Sequence, residues 1–401
     1  MSISSRVLGA SLLLFLAACG DKPVSRLHEA WDSANDPDHL NQIRPSGTSH
    51  YLTEYAALPL SAELPQRPWT DDYWPSYQGG LSFRWNAPQG VSNVERYGYP
   101  LPDSESLTAA DLRGLSPAEK YDLYLNHKDF PLTRSERDRT AIMRTVPTSS
   151  EYDASYSIPS WEGLCHAWAP ATLAFKEPHP VTLTNADGLA IPFGSSDVKA
   201  LLTYFLHMAP APDVQVIGRR CDLDFDQLRR DYEIGLISKE DFDYQVNTLD
   251  CRDTNAGAFH IALANQIGIF HEGFIADVTR DYQVWNQPIY GYESTLVSRS
   301  DQASPGAAKG TVKEVTLHTV MDYIEESDAR WETSDVSRNP ARKAYDYRLE
   351  LDAEGRIIGG EWLSEDRPDF IWKQSIPTFE GYFEDIGKIY RASLATDGER
   401  L

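Results

Sequence analysis

Positive charge is scarce in this chain: 37 Lys and Arg stand against 60 Asp and Glu, for a formal net charge of −23. A surface of that sign repels nucleic-acid backbones and anionic headgroups. No basic cluster or phosphate-cradling glycine loop offsets it, so no nucleic-acid partner is expected. Internal repeats and low-complexity tracts are also missing. Disorder as the main state is excluded by composition, with 41% hydrophobic and 11% aromatic residues in a chain of 401, long enough to bury a large core.

The apolar run "VLGASLLLFLAAC" after Arg6 is too short to stay in a bilayer as a spanning helix. Its end, Leu16-Ala17-Ala18-Cys19, resembles the signal box of bacterial lipoproteins. That resemblance implies cleavage before Cys19 and lipid on its thiol, with Gly20 next in line favouring the outer membrane. The expected product is tethered in the cell envelope, in an oxidising compartment. Residues 1–18 then form the signal peptide, 19–66 a proline-broken, partly packing lipidated tether, and 67–395 a catalytic domain.

Cysteine is rare, at four residues. With Cys19 lipidated, three remain, and an odd count leaves one free thiol. The simplest pairing joins Cys221 to Cys251 across a segment that reads as a helical hairpin broken at Gly235. Closing a loop of that length contributes roughly 3–4 kcal/mol in the chain-entropy account. The acidic run Asp222, Asp224, Asp226 weakly echoes a calcium loop, but Gln227 stands where the turn glycine belongs. Helix-start carboxylates explain it, and no metal is expected.

Local signals order the rest. Ser116, Pro117 and Glu119 are the N-cap, first position and capping-box partner of a helix. Residues 198–208 read as a buried helix. After residue 309 strands take over, with a hairpin around Asp352-Ala353-Glu354-Gly355. Helices first and antiparallel strands later predict an α+β fold.

Cys165, in "WEGLCHAWAPATLAF", is the unpaired thiol and opens an Ala-rich helix, where the dipole and free N–H groups favour a thiolate. A core cysteine is the bland alternative. A nucleophile needs a base and an orienting group. His260 is the one polar side chain in the apolar run "NAGAFHIALANQIG", and Asp277 ends the apolar stretch "GFIAD". Charge at such a strand end is costly unless paired. Asp281, or Asn286 as an amide, could orient a histidine instead.

The order Cys165, His260, Asp277 is that of papain-like and transglutaminase-like cysteine enzymes, and "GLCHAWA" resembles the papain-type helix start. The glutamine that precedes such a cysteine is absent from "SIPSWEG", leaving the second oxyanion donor unassigned. Further blocks in the same order, "PWTDDYWPSYQGGLSFRW", "LSPAEKYDLYL", "WEGLCHAWAPA", "CRDTNAGAFHIALANQIG", "GFIADVTRDYQVWNQPIYGYE" and "YDYRLELDAEGRIIGGEW", resemble the transglutaminase elicitor family. The resemblance implies a papain-related core and protein-glutamine γ-glutamyltransferase activity without cofactor. Its partners would be glutamine donors and lysine or polyamine acceptors. It makes Cys165 the nucleophile, His260 the acid–base and Asp277 its orienter. Trp161 and Trp168 flank the cysteine as substrate-binding walls that exclude water. A cysteine peptidase, amidase or glutamine deamidase would use the same residues, with water as acceptor.

Overall fold

The computed structural model describes residues 32–43, 50–103, 107–246, 248, 251, 253–280, 282–335 and 339–394. The expected signal peptide, the lipid-bearing Cys19 and Asp281 lie outside them. Among the described residues the helices are α1 (Asn93–Tyr97), α2 (Ala109–Gly114), α3 (Pro117–Tyr124), α4 (Pro131–Thr140), α5 (Cys165–Ala174) and α6 (Ser195–Met208). They continue as α7 (Phe225–Glu233), α8 (Lys239–Val246), α9 (Ala256–Leu263) and α10 (Glu384–Ser393). No described helix is long and apolar enough to cross a membrane.

The strands are β1 (Ser61–Glu63), β2 (Val181–Thr184), β3 (Ala190–Phe193), β4 (Val214–Gly218), β5 (Phe274–Asp277), β6 (Asn286–Ser300), β7 (Lys313–Ile324), β8 (Pro340–Leu351), β9 (Ile357–Trp362) and β10 (Phe370–Gln374). Strands β2 and β3 form a small hairpin. The other eight make one sheet in the order β4-β10-β5-β6-β7-β8-β9, with β1 on β6, and every pairing is antiparallel. The fold is α+β, helices first, as the sequence predicts.

The two faces of this sheet carry two cores. Along a strand, successive side chains alternate between faces. Ile275 of β5 and its cross-strand neighbour Trp372 of β10 join the core built by α3, α5, α6 and α10. Phe274, Ala276 and Ile371 face the other way, into the core built by α9 and strands β7 to β9. Helix α6 is buried at twelve of its fourteen positions. Helix α9 can lie against β9 because residue 257 is glycine: a Cβ there would come within 2.4 Å of the Gly359 carbonyl oxygen.

Local signals hold in detail. Ser116 Oγ accepts from the Glu119 N–H at 3.2 Å, and the Glu119 carboxylate accepts from the Ser116 N–H at 2.9 Å. Cys221 and Cys251 form a disulfide at the base of the α7–α8 hairpin, which turns at Gly235 with φ +75°. Asp224 caps α7 by accepting from the Gln227 N–H at 2.8 Å, the helix-start role for that acidic run.

The expected boundary at residue 67 does not divide the structure. Leu40 is fully buried in the second core, and Leu52 exchanges two backbone hydrogen bonds of 2.9 Å with the Asn265 side-chain amide. Strand β1 continues the edge of β6 beyond the end of β5. The prolines that read as breaks punctuate a strap that supplies a strand and apolar anchors.

Candidate active site

Cys165 is the first residue of α5, and its thiol is the one free cysteine among the described residues. Ala167 and Trp168 both donate to the Leu164 carbonyl, at 2.9 and 2.8 Å, which starts the helix. The N–H of Leu164 donates to the Tyr73 carbonyl at 2.8 Å, tying the helix entry to the aromatic segment before it. That contact needs Gly163, whose Cβ would fall 2.6 Å from the Tyr73 ring. The sulfur therefore sits at the positive end of α5, beside N–H groups with no partner in the helix.

The segment joining β5 to β6 faces the thiol. Cys165 Sγ donates to the Val284 carbonyl at 3.5 Å, and Asn286 Nδ2 donates to Sγ at 3.6 Å. The amide of Asn286 is oriented by Trp372, whose Nε1 donates to Asn286 Oδ1 at 2.7 Å. Asp277 lies directly across from Asn286 in the β5–β6 register, on the same face of the sheet, and accepts from the Trp285 N–H at 3.3 Å. Burial pushes the Cys165 thiol up, the backbone and side-chain N–H groups of Asn286 draw it down, and the carboxylates of Glu326 and Asp277 raise it again. The resting group is a thiol, with the donors for its anion already in place.

His260 is elsewhere. It lies on α9, behind the sheet from Cys165, fully buried, with Nδ1 2.7 Å from the Tyr347 hydroxyl. That hydroxyl continues to Thr319 at 2.7 Å and on to Ser294 at 2.8 Å. Burial draws the imidazole down to about 3, so it is neutral. The structure does not bring it to Cys165: the two lie on opposite faces of the sheet, and the imidazole meets a tyrosine instead. His166, next to the cysteine, points its ring at His207, with a nitrogen–nitrogen distance of 3.0 Å.

Trp168 is a core residue with no exposed surface, so it cannot line a substrate site. One turn beyond Cys165, its ring points into the helical core. Trp161 is half-buried and packs edge-on against Tyr282, at 6.3 Å between centroids, on one flank of the site. On the other flank Tyr73 packs on Trp285 at 5.7 Å.

Sequence reasoning named Asn286 only as a partner for a histidine, and missed Val284, Trp372 and Glu326. Trp372 lies 86 residues from Asn286 in sequence, and only the β10–β5–β6 pairing brings it there. Among the described residues no group of three or more His, Cys, Asp and Glu is arranged to hold a metal ion.

A cysteine at a helix N-terminus, packed against an antiparallel sheet that presents an aspartate and an amide, is held here in a transglutaminase-like fold. The crystal structure of the GP42 transglutaminase from Phytophthora sojae shares the fold, with a TM-score of 0.62 over 91% of this chain and 99% of that one, at 21% identity. The transglutaminase elicitor family matches residues 47–391, and the chain belongs to that family. No curated protein matches it.

Proposed function

We propose that the chain is a protein-glutamine γ-glutamyltransferase whose nucleophile is Cys165. The observation that carries this reading is the contact of a free helix-N-terminal thiol with an amide held in place by Trp372. The sulfur attacks the side-chain carboxamide carbon of a glutamine. The developing oxyanion is met by the Cys165 N–H and Asn286 Nδ2, which fills the second donor place that the sequence left open. The thiol proton passes to Asp277 and from there to the departing nitrogen, so that carboxamide and thiol become thioester and ammonia. A primary amine then attacks the thioester, the C–S bond breaks, and a proton from the amine returns to sulfur as the isopeptide forms. His260 takes no part.

The N-terminal box and the disulfide support a second element of the proposal: an exported, lipid-anchored protein of the cell envelope, since disulfides persist in oxidising compartments.

The test is incorporation of a labelled primary amine into a glutamine-rich protein, comparing the chain from Gly20 onward with its Cys165→Ala variant. Label attached by the parent and lost in the variant establishes transfer and nucleophile together. Ammonia release without label moves the activity to hydrolysis, and label unaffected by the substitution removes Cys165 from the reaction.

A further inference from the structure

On the Tyr73 flank of the site lies a cavity of 780 Å3 lined among others by Asp72, Tyr73, Tyr77, Trp85, Glu326 and Asp328. It adjoins the site through two connections. Tyr73 is the ring that packs on Trp285, and Trp285 stands between the carbonyl and the amide that hold Cys165. Glu326 acts on the Cys165 thiol by its charge and is held by both contacts of the Gln287 amide nitrogen, at 3.0 and 3.2 Å.

The cavity is lined by three carboxylates and two arginines that do not pair with one another. None of Asp72, Glu326 and Asp328 is paired with a basic side chain among the described residues. The two arginines on its walls donate to the backbone and not to these carboxylates: Arg96 to the carbonyls of Trp85 and Val91, and Arg330 to that of Asp328. Burial, then the charges of Asp71, Asp328 and Glu326, push the Asp72 carboxyl up to about 8. Glu326 is likewise raised, first by burial. Like charges crowded in a partly desolvated space are relieved by an incoming cation. The aromatic walls suit the methylene chain and the ammonium face of such a ligand.

We propose that this cavity is the acceptor subsite, taking an alkyl primary amine that carries a second cationic end, with Glu326 and Asp72 as the residues that select for charge. The inference rests on the transfer reaction proposed above and adds where the acceptor enters and what reads it. The reactive nitrogen approaches Cys165 past Trp285. The distal ammonium rests among the carboxylates, displacing a proton from Asp72 as it binds.

The experiment compares 1,5-diaminopentane with the monoamine pentylamine in the parent, in Asp72→Asn and in Glu326→Gln. Asn at position 72 keeps the acceptor for the Trp74 N–H, which Asp72 now receives at 3.1 Å. In the parent the diamine KM lies below that of the monoamine, and each substitution raises the diamine KM about tenfold, as expected for one charge-assisted contact. In Asp72→Asn the monoamine KM and the ammonia released from a glutamine peptide alone stay within about twofold, since neither reads the distal charge; in Glu326→Gln the readout is the ratio of diamine to monoamine KM, because Glu326 also acts on the thiol. Equal KM values for the two amines in the parent, or parallel changes for both in the variants, overturn the subsite.

Calorimetric binding of 1,5-diaminopentane to the inactive Cys165→Ala protein separates the two proposals. Binding that is lost in Cys165→Ala/Asp72→Asn supports the cavity even where the parent transfers nothing. Transfer by the parent with no such binding overturns the cavity alone.

Discussion

The indole of Trp372 donates to Asn286 Oδ1 at 2.7 Å, which turns the Asn286 amide nitrogen toward the sulfur of Cys165. An amide left free would sample both orientations, and only one presents a donor to the thiolate or to an oxyanion. Asn286→Ala should therefore lower turnover by about 100- to 1,000-fold, the usual cost of one oxyanion donor. It should also slow alkylation of Cys165 at pH 8, because the side-chain donor that draws the thiol down is gone while the backbone N–H of residue 286 remains. Trp372→Phe should cost about tenfold, since the amide remains but loses the one neutral hydrogen bond that aims it. Amine incorporation reads the turnover, and iodoacetamide alkylation followed by mass spectrometry reads the thiol.

His260 gives the opposite expectation. With the sheet between it and the thiol, His260→Gln should leave the alkylation rate of Cys165 and its pH profile unchanged at a temperature where the variant is folded. Its effect should fall on stability, since the Tyr347 hydroxyl loses one of its two buried partners, leaving Thr319. A slower thiol in a fully folded His260→Gln protein would return His260 to the site.

The disulfide spans 30 residues and closes the base of the α7–α8 hairpin. Replacing both cysteines with serine should lower unfolding free energy by about 3–4 kcal/mol in the chain-entropy account. Both sulfurs are buried, so mild reductant on the folded parent should do far less than the double substitution does. Urea unfolding with and without reductant checks this.

Gly257→Ala tests the packing of α9. Helix propensity by itself favours alanine by about 1 kcal/mol. Here the new methyl would meet the Gly359 carbonyl oxygen at 2.4 Å and its carbon at 2.7 Å, backbone atoms of a paired strand that cannot rotate away. The net effect should be a loss of about 1–3 kcal/mol, typical of overpacking. A variant as stable as the parent would show that α9 rides loosely on the sheet.

Asp369 should make stability depend on pH. Its carboxyl accepts from the Cys221 N–H at 2.8 Å, and it is raised well above the ordinary 3.8 by burial, with further contributions from the charges of Asp253 and Asp277. Asp253 is itself held by Arg367 and, at 3.4 Å, by Arg280. Because the folded chain keeps this proton and the unfolded chain releases it, stability contributed here is full below the ordinary carboxylate range. It declines as pH rises above that range toward the raised folded value, by at most about 1.4 kcal/mol per pH unit for one proton. Asp369→Asn should flatten that slope in denaturant titrations between pH 5 and 9, and an unchanged slope would assign it to other groups.

Much of this protein is local in origin. The Ser116–Glu119 capping box, the helix opening at Cys165, the buried helix up to Met208, the Gly235 turn and the hairpin closed by Asp352 to Gly355 all follow from side chains within a few residues of one another. Such interactions act in any context, so spacing suffices to read them. The pairing of Cys221 with Cys251 was legible as the simplest one, across a short helical hairpin.

The active-site partnership was not local. Cys165, His260 and Asp277 stand in the right order along the chain, and order says nothing about which face of a sheet each side chain meets. Strand alternation puts Asp277 on the side of Cys165, while helix α9 carries His260 into the opposite core. In the same way, residues 19–66 read as a tether from their prolines, yet β6 offers an edge that β1 completes. The sequence by itself determined the elements, the free thiol and the acidic surface, because these rest on composition and short-range geometry. Only the tertiary structure decided that Val284 and Asn286 meet the sulfur, with Trp372 behind the amide, and that His260 lies across the sheet, because long-range strand pairing sets which distant residues share a face.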